Sequence, residues 1–249
     1  MTYDHFFKKV DSWISSKDSR SHHIAVINAY CVMQAYLNKD IDQIYSQADI
    51  IAPDGLPFAR WMEKVDNLVC DQFDANSILH NLALHSQKTG YTFYLYGGHE
   101  DVLVAMRKNL LKMYPNIKIV GAYSPPFRAL TEDEDRKICD EINAVKPDII
   151  FVGLGTPKQD YWIDQHLNLI KGAVFIPSGA IFDFIGGRIK RAPEWVSQSG
   201  FEWLYRLLSK DFFRLWYRYT VLNIRFIWNF VMQIAEIKKF RPRRQIRPD

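Results

Sequence analysis

The chain has 249 residues, of which 48% are hydrophobic and 24% are charged. This length and balance allow one large α/β domain, or a domain with an appendage, and they exclude a wholly disordered chain. The three cysteines, Cys31, Cys70 and Cys139, are far apart and form no CxxC pair. Their spacing suits neither a disulfide framework nor a zinc site, so we expect a reducing cytoplasm. We also expect no signal peptide and no membrane span, because no apolar run approaches roughly 20 residues.

Charge is distributed unevenly along the chain. Residues 200–249 carry 11 lysines and arginines against 4 acidic residues, whereas residues 1–199 carry 21 against 24. A basic, aromatic C-terminal region on a mildly acidic body predicts contact with lipid headgroups, nucleic acid or a phosphorylated ligand. A solvated basic terminus explains the charge equally well.

Short apolar runs alternate with segments of helical period. The runs predict strands at 22–28, 92–98, 117–123, 148–155 and 173–179, and the helical segments include 74–88, 101–114, 132–145 and 158–169. This alternation predicts βαβ units, and therefore an α/β fold with a Rossmann-like, mostly parallel sheet flanked by helices. The composition shifts near residue 195, which predicts an α/β domain over 1–194 and a basic, aromatic, helical appendage over 195–249.

Ligands of parallel sheets bind at the carboxyl ends of the strands, and this sequence places glycines and polar residues there. The segment GLGTPKQDYWI (153–163) predicts a strand end, a turn and a helix start, with Thr156 as the cap, Pro157 at the first helical position and Gln159 completing a capping box. A helix start of this kind can bind phosphate, although an ordinary βα turn has the same pattern. The segment is neither a Walker A loop nor a GxGxxG motif.

Asp54 follows an apolar run and stands in a Pro-Asp-Gly turn. A carboxylate at a strand end, beside a glycine that allows close approach of a ligand, is well placed for general-base chemistry. The alternative is an aspartate that caps the next helix. Asn28 ends the first apolar run in the same way, and it can bind a sugar or cap the helix that follows.

Two basic segments can meet a diphosphate. The segment 182–195 combines Gly186-Gly187 with three cations and can close over phosphate oxygens or form a solvated surface hairpin. Residues 202–239 predict one or two helices on which Arg214, Arg218 and Arg225 share one face. Such a helix can lie on an anionic membrane, aim its arginines at a diphosphate, or pack on the core with a charged outer face.

The ordered segments APDGLPFARW, YLYGGHEDV, PDIIFVGLGTPKQDYWI, FDFIGGRIKRAPEW and GFEWLYRLL resemble the WecG/TagA/CpsF family of glycosyltransferases, glycosyltransferase family 26. The resemblance runs from about Phe6 to Arg225. It implies inverting transfer of a hexose-type sugar from a UDP-sugar donor to a polyprenyl-diphosphate-linked saccharide in bacterial cell-surface or exopolysaccharide synthesis. The implied location is cytoplasmic and peripheral, on the anionic inner face of the cell membrane.

The resemblance also implies roles for individual residues. Asp54 is the expected base, and Asn28 and Gln159 line the pocket. Further substrate contacts are expected from strand-end glycines, the polar residues beside them and C-terminal arginines: Gly55, Asp74, Gly97, Gly98, Gly155, Thr156, Pro157, Ser178, Asp183, Arg191, Arg206, Arg214 and Arg218.

No DxD-like pair is placed to hold a divalent ion, so we expect no metal, no cofactor and metal-independent transfer.

Three departures from the family pattern leave the sugar unassigned. Val26 stands where Thr is common, and Val69 and Gln72 stand near the positions of a usual Arg and Gly. The usual G-Y-F after the middle strand is replaced by the segment 124–127, Ser-Pro-Pro-Phe.

Other classes of protein have other signatures. A nucleotide-binding dehydrogenase has GxGxxG after its first strand, and VINAYCV does not contain it. A nucleotide- or nucleic-acid-binding α/β protein without transferase activity is the remaining alternative, and it would use the basic C-terminal region. Under the glycosyltransferase interpretation we expect no nucleic-acid partner, and a homo-oligomeric state stays open.

Overall fold

The structure is a computed structural model that describes residues 2–16, 19–54, 71, 73–189 and 216–235. The chain divides into two compact units, Met1–Val26 with Ala48–Arg191, and Ile27–Gln47 with Ala192–Asp249. The break after residue 191 lies close to the boundary predicted at 194/195. The sequence does not predict that residues 27–47 join the C-terminal unit, because that grouping depends on contacts between segments far apart in the chain.

The first unit consists of strands that alternate with helices. Its described elements are α1 (Tyr3–Ser15), β1 (His22–Ile27), β2 (Ile50–Pro53), α4 (Ala75–Thr89), β3 (Thr92–Gly97), α5 (Glu100–Met113), β4 (Lys118–Tyr123), α6 (Glu132–Val145), β5 (Ile149–Gly153), α7 (Lys158–His166), β6 (Val174–Pro177) and α8 (Gly179–Ile185). The predicted strands and helices are confirmed, mostly to within one or two residues at each end.

The six strands form one sheet in the order β2-β1-β6-β5-β3-β4. The strand pairs are parallel. Ile150 of the central strand β5 lies opposite Tyr94 of β3 on one side and opposite Phe175 of β6 on the other. Helices cover both faces, so the middle strands are buried throughout, which explains why they are continuous apolar runs. The Rossmann-like α/β fold predicted from the sequence is confirmed.

Two hydrophobic clusters hold the helices against the sheet. One includes Phe6 of α1, Leu82 of α4, Met106 of α5 and Phe151 of β5, all buried. The other lies between the sheet and the pair α6 and α7, and it contains the residues Tyr94, Tyr96, Ile138, Cys139, Ile142, Ile150, Val152, Trp162, Ile163, Ile170, Ala173 and Phe175. Each fully buried aliphatic or aromatic side chain contributes about 1.5–3 kcal/mol to folding.

The second unit contains α2 (Ala29–Leu37), α3 (Lys39–Ser46), a π-helical segment (Tyr217–Leu222) and α9 (Asn223–Ile234). The π-helical segment and α9 pack against α2. Leu222 is buried, and the guanidinium carbon of Arg225 lies 5.7 Å from the centre of the Tyr36 ring. Within the described ranges, no helix is both long and apolar enough to cross a bilayer.

Candidate functional site

Several predicted site residues directly follow parallel strands of the first unit. Asp54 comes after β2, Gly98 after β3, Gly155 two residues after β5, and Ser178 after β6. Because the carboxyl ends of parallel strands meet at one edge of a sheet, these residues share the edge at which such folds bind ligands. The prediction of where the strand-end residues lie is therefore confirmed, whereas their substrate contacts stay a prediction.

The turn between β5 and α7 is organised by the side chain of Gln159. Its Oε1 accepts a hydrogen bond from the Gly155 N–H at 3.0 Å, and its Nε2 donates to Thr156 Oγ1 at 3.2 Å. Gln159 is buried, so both bonds are shielded from water. The side-chain amide thus fixes the loop that precedes its own helix.

The predicted capping at this turn is wrong. The helix begins at Lys158, and its capping position is Pro157, which makes no side-chain cap bond. Thr156 therefore lies one residue before the cap position, and its hydroxyl oxygen accepts a hydrogen bond from the Gln159 side-chain amide. The Gln159 side chain accepts from the N–H of Gly155. In a capping box it would accept from the N–H of the cap residue itself.

Several glycines at this edge leave room for close packing. The buried ring of Phe182 lies so close to Gly153 that a Cβ there would stand 2.5 Å from Phe182 Cδ2, and at Gly98 it would stand 3.1 Å from Cδ1. At Gly97 a Cβ would approach the Gly153 carbonyl carbon to 2.6 Å. Gly155 differs, because its φ is +77° and a Cβ would have no heavy atom within 4 Å. Gly155 is therefore the strand-end glycine with space beside it.

Three polar candidates cap helices or bond the backbone. Asn28 Oδ1 accepts from the N–H groups of Tyr30 and Cys31 at 3.1 and 3.2 Å and so caps α2, one of the two roles left open by its sequence position. Asp74 caps α4 and also accepts from the Ser77 hydroxyl at 2.5 Å. Ser178 is 1% exposed and donates its hydroxyl to the Ile176 carbonyl at 3.1 Å.

The Gly186-Gly187 pair ends a helix, and residues 190–195 of the predicted basic loop or hairpin lie outside the described residues, so both alternatives stay predictions. Gly186 is the C-cap of α8, Gly187 has φ +76°, and the Arg188 N–H returns to the Asp183 carbonyl at 2.9 Å. Asp183 lies on α8, with one carboxylate oxygen 4.0 Å from Arg188 Nη1. The segment 182–184, Phe-Asp-Phe, is helical because it continues the apolar face of α8, on which Phe182 is buried.

Sequence reasoning assigned no site role to Phe127 in the loop after β4, although it noted the loop's unusual composition. Phe127 is 83% exposed, and its ring centre lies 4.6 Å from that of His99. Ser124 Oγ donates to the Gly98 carbonyl at 2.7 Å, which fixes one end of the loop to the carboxyl edge. Phe127 is therefore an exposed aromatic ring on a loop that is held to the carboxyl edge of the sheet.

The other end of this loop is fixed by an ion pair. Arg128 donates to both carboxylate oxygens of Glu134 at 2.7 and 2.6 Å, and this contact lowers the pKa of Glu134 to about 2. Glu134 also completes the capping box of α6 with Thr131. The Arg128 guanidinium therefore binds within the protein.

The helix starts at this edge differ in charge. The first turn of α5, which follows Gly98, carries Glu100 and Asp101. Two carboxylates there make that helix start less favourable for a diphosphate than its macrodipole alone indicates. The first turn of α7 contains one buried carboxylate, that of Asp160, and the exposed side chain of Lys158. Of the two starts considered from the sequence, α7 is the better match to an anion.

Several predicted residues lie outside the part of the chain that the structure describes. They are Gly55, Arg191, Arg206 and Arg214, together with the side chain of Arg218. The segment after Asp54 is also outside it, so the alternative that Asp54 caps the next helix stays open. The assignments of these residues remain predictions.

Residues 1–240 match the Glycosyl transferase WecG/TagA/CpsF family. The chain belongs to this family. It is 30% identical over 186 residues to the N-acetylglucosaminyldiphosphoundecaprenol N-acetyl-beta-D-mannosaminyltransferase of Bacillus subtilis (strain 168), a match that covers 74% of this chain and 70% of that protein. The enzyme of the same name from Staphylococcus aureus (strain MW2) is 26% identical over 214 residues, which is 86% of this chain and 78% of that protein.

Membership of the WecG/TagA/CpsF family confirms the glycosyltransferase class predicted from the sequence. The relatives' name states that they act on a sugar linked to a polyprenyl diphosphate. The alternative of a nucleotide- or nucleic-acid-binding protein without transferase activity is not supported.

Proposed function

We propose that this WecG/TagA/CpsF glycosyltransferase moves a hexose-type sugar from a UDP-sugar to a polyprenyl-diphosphate-linked saccharide, with inversion and without a metal ion. The observation that carries the proposal is the position of Asp54, a half-buried carboxylate directly after β2 at the carboxyl edge of the sheet. The relatives' name supplies the first substrates to test, an N-acetylmannosamine donor and an N-acetylglucosaminyl-diphosphoundecaprenol acceptor.

The reaction requires one proton transfer and one displacement. Asp54 takes the proton from an acceptor hydroxyl as that oxygen attacks the anomeric carbon on the face opposite the UDP group. The bond between the anomeric carbon and the phosphate oxygen breaks, and UDP leaves with the electron pair. A general base of this kind contributes roughly 10²–10⁴-fold to the rate. The family resemblance also gives Asn28 and Gln159 roles in transfer, and both stay part of this proposal.

The leaving diphosphate gains negative charge, which must be stabilised. The start of α7 supports a diphosphate there, because Gly155 has space beside it and the helix macrodipole is positive at this end. Gln159 holds the turn in place through its bond to the Gly155 N–H. We include Arg191, Arg206, Arg214 and Arg218 as the cations that complete this binding, in keeping with the family resemblance.

The loop after β4 supports a place for the uracil ring. Phe127 and His99 offer exposed aromatic faces beside Gly98, and stacking of a base on an aromatic side chain contributes about 1–3 kcal/mol. Ser124 and Arg128 hold the loop at both ends, so little conformational entropy is lost on binding. We therefore assign donor-base recognition to Phe127.

A lipid-linked acceptor requires the enzyme to act at a membrane surface. On α9 the side chains of Ile224, Ile227, Trp228 and Val231 are exposed and, at spacings of three, four and seven, share one face. The residues that follow carry a basic cluster, RPRRQIRPD. An exposed apolar face next to a basic segment is typical of helices that lie in the interface of an anionic bilayer. We propose peripheral binding to the inner face of the cell membrane from the cytoplasm.

A transfer assay tests the proposed function. The protein, not treated with a chelator, is incubated in buffer without added divalent cations with radiolabelled UDP-N-acetylmannosamine and N-acetylglucosaminyl-diphosphoundecaprenol in anionic vesicles, and a panel of other UDP-hexoses runs in parallel. We expect one donor to label the lipid and to release UDP. Failure of every UDP-sugar, or labelling that depends on added Mg²⁺ or Mn²⁺, contradicts the proposal. Thermal stabilisation by UDP, compared with NAD and oligonucleotides, checks nucleotide binding separately.

A further inference from the structure

Three metal-ligand side chains come together on the face of the sheet covered by α6 and α7. Asp135 and Cys139 lie one turn apart on α6, and His166 is the last residue of α7. One ligand atom from each lies within 4.8 Å of the other two. Cys139 and His166 are buried, whereas the Asp135 side chain is 31% exposed. None of the three was assigned a role from the sequence, because the spacing of the cysteines gives no motif.

The hydrogen bonds of His166 show which nitrogen faces the cluster. Its Nδ1 lies 2.6 Å from the Trp162 carbonyl oxygen, which can only accept, so Nδ1 carries a proton and donates. In the neutral ring Nε2 then presents a lone pair, and it faces both carboxylate oxygens of Asp135 at 3.1 Å. Two acceptors at this distance repel each other unless a proton or a metal ion lies between them.

The geometry and the donor set suit a metal ion. Zinc is bound by histidine nitrogen and carboxylate oxygen at about 2.0–2.2 Å and by cysteine sulfur at about 2.3 Å, so neighbouring ligand atoms lie roughly 3–4 Å apart. The bond from Nδ1 to a backbone carbonyl is the outer contact that metal-binding histidines usually make. Stacking on Trp162, with ring centres 4.0 Å apart, fixes the imidazole plane. The exposed side of Asp135 gives an ion a route in and leaves room for a water ligand.

We propose that Asp135, Cys139 and His166 bind one divalent transition-metal ion of the Zn²⁺ type, which joins α6 to α7. Binding of the ion displaces the proton of the Cys139 thiol to solvent as the sulfur–metal bond forms. The ligands come from helices, and the residues proposed for transfer come from the carboxyl edge of the sheet, so the ion has a structural role.

Metal binding by the full-length, tag-free protein tests this proposal. Protein stripped with a chelator is titrated with Zn²⁺ in competition with a chromophoric chelator, and with Co²⁺, whose absorption reports thiolate ligation. We expect one ion per chain and a sulfur-to-cobalt charge-transfer band. Cys139→Ser and His166→Gln should each weaken Zn²⁺ binding by at least roughly tenfold. Cys31→Ser, which replaces a buried cysteine on α2, should bind as the unmodified chain does.

Asp135→Asn keeps the test decisive if a change at a buried ligand prevents folding, because Asp135 is partly exposed. It should also weaken Zn²⁺ binding by at least roughly tenfold. Absence of stoichiometric binding, or equal binding by Asp135→Asn and the unmodified protein, overturns the proposal and leaves a proton between His166 and Asp135. These readouts do not involve sugar transfer, so failure of this proposal and failure of the proposed function are distinguishable.

Discussion

Gln159 Oε1 and the Gly155 N–H are joined by a hydrogen bond of 3.0 Å, so a buried side chain of α7 holds the turn that precedes its own helix. Gln159→Ala removes this acceptor and leaves the turn without its internal support. We expect a loss of about 1–3 kcal/mol in the free energy of unfolding and a lower kcat/KM for transfer. Urea unfolding and the transfer assay measure the two effects. The exposed Gln165→Ala on the same helix should change neither, and equal effects from both variants would contradict the assignment.

Asp54→Asn tests the proposed base. The amide keeps the size of the side chain but cannot accept a proton, so kcat should fall by roughly 10²–10⁴-fold while UDP still stabilises the protein against heat. Asp164→Asn, an exposed substitution on α7, is the matched control and should keep normal turnover. Near-normal turnover of Asp54→Asn would remove Asp54 from the mechanism.

Phe127→Ala tests the proposed stacking of the donor base. Loss of about 1–3 kcal/mol of stacking should raise KM for the UDP-sugar by roughly 5–150-fold with a smaller change in kcat. Phe127→Trp should retain a KM near that of the unmodified chain, because the aromatic face is kept. An unchanged KM in the alanine variant would show that the exposed ring does not contact the donor.

Trp228→Glu tests membrane binding by the exposed face of α9. Trp228 is 62% exposed, and a carboxylate at its position would have to enter the apolar boundary of the bilayer. We expect at least roughly tenfold weaker partition into vesicles that contain anionic lipid, measured by flotation. Gln233→Glu makes the same change of charge at another exposed position of α9. If both variants lose the same affinity for the vesicles, electrostatic attraction to the lipid accounts for membrane binding and the apolar face of α9 does not contribute.

His23 should make the protein less stable in mild acid. Burial lowers the pKa of His23 from 6.5 to about 4, although the nearby Asp49 carboxylate opposes the shift. Between these values the unfolded chain binds the proton more readily, so the free energy of unfolding falls as the pH decreases from about 6.5 to 4, by up to roughly 3 kcal/mol. Urea unfolding across this pH range measures the slope.

His23→Gln should flatten that slope, because the titrating ring is gone. Ser86→Ala is the control for a buried substitution without a titrating group, and it should keep the slope. The same slope in His23→Gln and the unmodified chain would assign the acid sensitivity to other residues.

Strand and helix positions were the most predictable features. The runs at 92–98 and 148–155 became β3 and β5 because a strand covered on both faces must be apolar along its length. The segment 132–145 became α6 without a change of bounds, since Thr131 and Glu134 form the local capping box. These features depend on neighbours in the sequence, and a local pattern is enough to predict them.

The candidate site was less predictable. Gly98 was expected to contact substrate, yet its missing Cβ makes room for the Phe182 ring. The capping role of Thr156 was wrong: the cap position is Pro157, and the side chain of Gln159 donates to the Thr156 hydroxyl. In each case the deciding contact is made by a side chain whose direction the sequence pattern does not give.

The sequence by itself determined the family, the α/β class and the place of Asp54 at a strand end, because motif order and apolar periodicity are properties of the chain. Only the tertiary structure decided that Phe127 stands exposed beside His99, and that Cys139 meets His166 across two helices. The physical reason is that both contacts join segments that approach each other when helices pack on a sheet. Packing brings together side chains that are far apart in the sequence, and their spacing in the sequence forms no recognisable motif.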